Sequence, residues 1–329
     1  MAEGKIPQLA LKGLLAGLTR PGRDVVVGPV VGEDACVVDP QGRLLVASSD
    51  PVTFTVRHAG YYSVNVNAND VAAMGARPRW FLATLLFPPD TPLRGIRPVF
   101  KEIDRACAAL GIRLVGGHTE VTSKVTHPVI AGTMLGTVGR RRLVRPRTAR
   151  PDDRILITKR IALEGTSIIA RERRREVDAL LGRRRAAGAR RLLFEPGISV
   201  VKEAMAAVRA APVHAMHDPT EGGLYRGVEE LAAVTGIGAR IDLDRVPVFE
   251  ETEAICRGFG IDPMGLIASG SLLIVVSPRH AGRVSDAVRR RGIECRDIGS
   301  MKGRRLTVVR GGRTGPFPKP GPDEITKVL

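Results

Sequence analysis

Aromatic side chains are scarce in this sequence: they make up 4% of 329 residues, and none lies in the arginine-rich stretch 171–191. Proteins that grip nucleic acid usually interleave basic residues with aromatic stacking platforms, so nucleic-acid binding is the least favoured function class. Cysteine is almost as rare. Cys36, Cys107, Cys256 and Cys295 are scattered with no C-x-x-C pair. That argues against zinc and against a disulfide framework, and predicts four reduced, mostly buried thiols. No apolar run approaches the ~20 residues a membrane span requires, and the opening MAEGKIPQLALKGLLAGLTR has no signal-peptide cleavage pattern. The expectation is a soluble, cytoplasmic protein with no membrane partner. Low-complexity tracts and short-period repeats are absent as well.

What is abundant is positive charge. The balance of 51 Lys+Arg against 34 Asp+Glu gives a formal +17, which attracts polyanions: nucleic acid, a membrane surface or phosphorylated substrates. Arginine concentrates in GRRRLVRPRTAR (139–150) and RERRREVDALLGRRRAAGARR (171–191). The second stretch reads as an exposed helix in which Glu172 and Glu176 supply intrahelical pairs. A solvated basic face and a polyanion-facing surface are both open for it.

A chain of this length that is 43% hydrophobic can bury the cores of two domains. Strand-like runs fall at 35–39, 44–50, 80–87, 113–117, 128–139, 154–159, 239–243, 271–277 and 305–310. Helical patterns fall near 5–17, 59–75, 94–110, 164–181, 198–210, 221–235, 248–259 and 279–291. Both halves mix the two, so the class is α/β or α+β. The arginine- and proline-containing segment 140–152 separates the halves and predicts domains over 1–148 and 149–329.

The carboxylates carry the chemical signal. In NVNANDVAAMGARPRW (65–80), Asn65, Asn67, Asn69 and Asp70 are set into a helix whose other residues are apolar or small. A buried polar group without a partner costs roughly 2–7 kcal/mol, so these side chains need something to bind. VGEDAC (Glu33, Asp34), SSDPVT (Asp50), VGGHTEV (His118, Glu120) and MHDPTEGGL (Asp218, Glu221) repeat a format of small residues followed by an acid. Magnesium takes oxygen ligands and bridges one or two carboxylates to substrate phosphates. Gly28, Gly32, Gly116 and Gly117 lack the Cβ that would keep backbone amides from phosphate oxygens. A metal–nucleotide site follows from the set, though each piece has a plainer reading. Asp218-Pro219 has the form of an N-cap with proline at the first helical position, as does Asp262-Pro263. Asp50 also fits a strand-ending turn, and His118 and His217 fit ordinary loop histidines.

Taken in order, VGEDACVV, SSDPVTF, NVNANDVAAMGARP, LVGGHTEV, GTMLGTVG and HDPTEGGL resemble the AIR synthase (PurM-like) superfamily, over about residues 25 to 277. The similarity is greatest to its HypE-like, AIR synthase-related members. The resemblance implies two domains: N-terminal strands that pair between two subunits into a central β-barrel flanked by helices, and a C-terminal α/β domain. It also implies a homodimer, with ATP and Mg²⁺ as cofactors. By the same resemblance Asp34, Asp50, Asp70, Glu120 and Asp218 are candidate metal ligands. Gly32, Asp34, Asn67, Gly116, Gly117 and Asp218 are candidates for holding the nucleotide, and His118 and Lys159 for catalysis. Lys159, in TKRIALEGTS just after a strand, would neutralise charge on a transferred phosphoryl group, or is simply a solvated strand-end lysine.

The departures are informative. Glu33 stands where the family has its first aspartate, and His118 stands where HypE and thiamine-monophosphate kinase carry Asp. HypE carries its reacting group on a C-terminal cysteine, whereas this sequence ends GPDEITKVL; residues 13–34 hold neither the cysteine nor the lysine of selenophosphate synthetases. The expected function is therefore Mg-ATP-dependent activation of a small-molecule or protein-borne acceptor by phosphoryl transfer. The alternative is a non-catalytic ATP-binding maturation factor that lacks the nucleophile.

Overall fold

The computed structural model describes residues 24–27, 35–39, 43–52 and 57–329, and the chain divides between Leu143 and Val144 into two compact units. The helical pattern near 5–17 lies outside the described residues.

Alternation of side chains builds the first unit's sheet. Its strands are β1 (Val25–Val27), β2 (Cys36–Val38), β3 (Leu44–Val52), β4 (Arg77–Phe87), β5 (Arg113–Val121) and β6 (Val129–Val138), in the order β1-β2-β3-β6-β4-β5. Neighbours are antiparallel except β4 and β5, which are parallel. Along β6 every second residue is buried: Ile130, Gly132, Met134, Gly136 and Val138 face one side, as period-2 geometry requires. Helix α1 (Ala59–Ala73) lies on that side. The two glycines let it approach, since a Cβ at Gly132 would stand 2.6 Å from Asn67 Nδ2 and 2.7 Å from the Phe81 ring. Helix α2 (Leu93–Leu110) covers α1 in turn, burying only Ile103, Ala106 and Cys107. Sandwiched in this way, α1 is buried on nearly every face, unlike an ordinary amphipathic surface helix.

The described strands of this unit make an open sheet with β1 and β5 at its edges. All nine residues of β5 are exposed.

The second unit holds seven strands: β7 (Arg154–Thr158), β8 (Ala215–His217), β9 (Ala239–Asp242), β10 (Leu273–Val276), β11 (Cys295–Met301), β12 (Thr307–Arg310) and β13 (Arg313–Pro316). Their order is β13-β12-β9-β11-β7-β10-β8. Ile155 and Ile157 of β7, with Leu273 and Val275 of β10, pack against Leu224, Tyr225 and Val228 of α7 (Gly223–Thr235). Leu156 turns to the opposite side, toward α9 (Pro278–Arg289), which also packs on α6 (Val201–Ala210). A second core joins α3 (Leu163–Glu172), α4 (Arg174–Leu181), α5 (Arg183–Arg191) and α8 (Glu250–Phe259) through Ile169, Val177, Ala186, Ala189 and Ile255. Ile325 and Val328 near the C-terminus belong to this core. The arginine stretch is thus divided among three helices, α4 and α5 being separated at Gly182 (φ 76°). The mixed α/β, two-domain architecture expected from the sequence is the one the chain adopts.

Candidate functional site

Two polar residues of α1, Asn67 and Asp70, find partners on β3. Asn67 accepts a hydrogen bond from the Asp50 N–H (2.9 Å) and donates to the Asp50 carbonyl (3.2 Å) and, one turn back, to the Ser63 carbonyl (2.8 Å). Its amide pairs with Asp50 as a neighbouring strand would, beyond the last β2 pair at Cys36 and Ala47. Three residues along α1, Asp70 Oδ2 accepts from Ser48 Oγ at 2.6 Å. Ser48 and Asp50 are two apart on β3 and therefore share a face, while Asn67 and Asp70 are three apart on α1 and share a face. The result is a two-rung ladder, Ser48 to Asp70 and Asp50 to Asn67, with both carboxylates on the side where helix meets sheet. Asn65 is satisfied within the helix, donating to the Tyr61 carbonyl (2.8 Å).

Magnesium needs only one or two carboxylates when phosphate oxygens and waters complete its octahedron, and Asp50 and Asp70 supply that number. No three His, Cys, Asp or Glu side chains gather among the described residues. Gly32 and Asp34 lie outside the described residues.

Gly116, Gly117, His118 and Glu120 lie on β5, separated from β3 by β4 and β6. Gly117 is level with Ala83, Gly132 and Asp50 across the sheet, about 14 Å from Asp50 at ~4.8 Å per strand. The structure does not bring them to the Asp50–Asp70 ladder. The two glycines follow a β-bulge, where Leu114 and Gly116 pair with consecutive residues of β4. His118 Nε2 and Glu120 Oε2 are 3.6 Å apart and both exposed.

In the second unit, Lys159 leaves the end of β7 and turns inward. Its Nζ is 2.8 Å from Glu203 Oε1, with side-chain exposures of 6% and 0%, and it also donates to the Ser199 carbonyl. Asp218 is buried but does not cap a helix, because α7 begins five residues later through Gly222. Asp262 does cap, accepting from Met264 N–H at 2.9 Å. Cys107, Cys256 and Cys295 are buried and free, while Cys36 is exposed. Burial pushes the Cys107 and Cys256 thiols up to about 12 and the Cys295 thiol up to about 11, far from the range of a reactive thiolate.

Two acids not singled out in the sequence surround the Asp218 turn. Glu164 accepts from the Ser269 N–H (3.0 Å), and Asp323 accepts from the N–H groups of Gly222 (2.6 Å), Ile267 (3.2 Å) and Ile325 (2.8 Å). A signal existed for Glu164: a lone acid in IALEGTSIIA, the same pattern that drew attention to Asp70. A cavity of about 510 Å³ lies elsewhere in this unit, beside α9 and β11, and holds none of the residues expected from the sequence. Among the described residues no helix is long and apolar enough to cross a membrane.

Two family models match the chain: AIR synthase related protein, N-terminal domain, over residues 32–138, and AIR synthase related protein, C-terminal domain, over 150–311. Carbamoyl dehydratase HypE of Cupriavidus necator is 27% identical over 282 residues, which span 82% of this chain and 76% of that protein. A crystal structure of hydrogenase maturation protein HypE in complex with ATP superposes with a TM-score of 0.75 at 20% identity, covering 96% of this chain and 91% of that one. AaThiL complexed with AMPPCP and TMP gives a TM-score of 0.70 at 18% identity, covering 87% and 89%.

Proposed function

The chain belongs to the AIR synthase-related protein family, and from that premise we propose that it is a Mg-ATP-dependent enzyme that activates a small-molecule or protein-borne acceptor by phosphoryl transfer. The observation that carries this reading is the ladder in which Asn67 holds the Asp50 backbone and Ser48, two residues before it on β3, donates to Asp70. Solved relatives of this fold hold ATP or, with TMP, AMPPCP, and that supports a nucleotide as the ligand here.

Asp50 and Asp70, with Asp34, would hold Mg²⁺; Glu120 and Asp218 are the further proposed ligands. When bound, the cation supplies charge neutralisation along the triphosphate, most of what phosphoryl transfer asks of a protein. Asn67 keeps Asp50 in place for that task, and Gly32, Gly116 and Gly117 offer backbone amides to the nucleotide. His118 and Lys159 are the proposed catalytic side chains. Lys159 would have to act from within its ion pair with Glu203.

A homodimer belongs to the same proposal. An edge strand exposed along nine residues, with Leu114, Val115 and Val121 among its exposed apolar side chains, is a surface that proteins ordinarily cover. A second copy pairing there would extend the open sheet towards a barrel.

The test is calorimetry with ATP and Mg²⁺, comparing the wild type with Asp70→Asn. Binding by the wild type and at least tenfold weaker binding by the variant are expected; equal affinities would refute the site. The second reading is a nucleotide-binding maturation factor without turnover. Steady-state ATP hydrolysis with candidate acceptors separates the two.

A further inference from the structure

We infer that Asp323, on the C-terminal segment, is a positioning residue that fixes the turn carrying Asp218. The inference rests on the reading that Asp218 belongs to the nucleotide–metal site.

The turn needs an external hold. Gly222 and Gly223 both have positive φ (76° and 57°), and two successive glycines bring little conformational preference of their own. The pair is also pressed against another backbone: a Cβ on Gly223 would lie 2.6 Å from the Leu266 carbonyl oxygen and 2.7 Å from that of Met264. No larger residue fits there to stiffen the turn.

Asp323 supplies the hold by joining two loops. One carboxylate oxygen takes the Gly222 N–H at 2.6 Å, and the other takes Ile267 N–H at 3.2 Å together with Ile325 N–H at 2.8 Å. Such charge-assisted bonds are roughly twice as strong as neutral ones, and the side chain is buried. The loops are tied once more, by Ala268 N–H to the Thr220 carbonyl (3.2 Å), and Glu164 of α3 holds the second loop alone through Ser269 N–H (3.0 Å).

The segment bearing Asp323 is itself anchored. Ile325 and Val328 are buried with Leu266 and Ile169, Arg173 Nε donates to the Val328 carbonyl (2.9 Å), and Glu324 accepts from Asp262 N–H (3.2 Å). The tie therefore runs from a packed core, through one carboxylate, to a glycine turn whose own hold is the Gly223 N–H bond to the Thr220 carbonyl (3.1 Å). Asp218 directly follows β8, which is paired to β10 through His217 and Leu273, and the Gly222 tie fixes the other end of the short segment that carries it.

Asp323→Asn tests this selectively. An amide keeps one acceptor oxygen, enough for Ile267 and Ile325, and presents an NH₂ to the Gly222 N–H, breaking that one tie. Amide hydrogen exchange at Gly222 and Gly223 should quicken at least tenfold, and the Kd for ATP with Mg²⁺ should rise at least fivefold. Val275→Ala, a core truncation in β10 away from Asp323, serves as a control for loss of general stability. A purely structural role for Asp323 predicts that the two variants weaken ATP binding alike at equal loss of Tm, and that result overturns the proposal. Unchanged exchange at Gly222 overturns it whatever happens to ATP. Quickened exchange with unchanged ATP affinity leaves the tie standing and removes its bearing on the site. A wild type that binds no ATP with Mg²⁺ overturns the reading of the site itself, while the exchange data still decide whether Asp323 holds the turn.

Discussion

Asn67 holds Asp50 by both of its main-chain polar groups, accepting from the N–H at 2.9 Å and donating to the carbonyl at 3.2 Å. A helix side chain does here what a neighbouring strand does elsewhere in a sheet. Removing it takes their partner from the half-buried N–H and carbonyl of Asp50, at about 1–3 kcal/mol for such a loss, while the Ser63 carbonyl keeps its backbone bond within the helix. Asn67→Ala should therefore lower unfolding stability by roughly 2–3 kcal/mol in urea melts. Asn67→Asp should be no better despite its matching shape, because its second oxygen meets two carbonyl oxygens where the amide donated. A near-neutral Asn67→Asp would mean that the bonds to Asp50 and Ser63 contribute little.

Gly132 and Asn67 form the complementary pair on which this contact depends. A methyl at Gly132 would stand 2.6 Å from Asn67 Nδ2 and 2.7 Å from the Phe81 ring, a typical overpacking case costing about 1–3 kcal/mol. Part of that cost should come through displacing Asn67. Gly132→Ala and Asn67→Ala should then be sub-additive in a double-mutant cycle, by at least ~0.5 kcal/mol. Strict additivity would assign the whole cost of the methyl to Phe81.

The sequence made this region conspicuous without naming its partner. Three asparagines and an acid in a helix with no polar face require something to bind, and the physics stops there, because a peptide group and a metal–phosphate cluster satisfy an amide equally well. Long alternating strands such as β3, β4 and β6 were legible because one face of each is buried. β11 was not: CRDIGSM mixes Arg296 and Asp297 into a strand, and a bulge between Asp297 and Gly299 breaks the alternation. Asp297 is tolerated there because Arg154 on the adjacent strand binds it through two bonds of 2.8 and 2.6 Å. Asp323 was hidden for another reason. Its meaning depends on amides about 56 and 101 residues away, and no local pattern encodes such a meeting. Asp218 shows the limit of motif reading: Asp-Pro resembles a cap, yet α7 starts five residues later.

Glu164 makes stability depend on pH. It is wholly buried, and that burial, with Asp323 and Glu221 nearby, pushes its pKa from 4.5 up to about 7. Between these values the folded protein holds a proton that the unfolded chain has released, so stability falls as pH rises through this window and levels off above it. The full fall is on the order of 3 kcal/mol at ~1.4 kcal/mol per pH unit. Glu164→Gln keeps an acceptor oxygen for Ser269 N–H and removes the charge. Its Tm should be nearly level from pH 5 to pH 8 while that of the wild type declines. Parallel profiles would place Glu164 outside the titration.

Lys159 discriminates between two roles. Its ammonium and the Glu203 carboxylate are 2.8 Å apart, with the acid fully buried, and Glu203 Oε2 has no hydrogen-bond partner among the described residues. Removing one member of such a pair strands the other charge, which typically costs about 3–5 kcal/mol, whereas replacing both by apolar side chains is often neutral. Lys159→Ala should therefore unfold at markedly lower urea concentration, and Lys159→Met with Glu203→Leu should recover most of the loss. A lysine that acts on a transferring phosphoryl group predicts another pattern: Lys159→Ala keeps a wild-type melt and loses ATP turnover, and the double variant recovers nothing. Urea melts and steady-state hydrolysis on the same three proteins decide between them. The ion pair predicts that stability and turnover fall together and return together, because the two charges then matter for holding β7 and α6 in place and not for contact with the substrate.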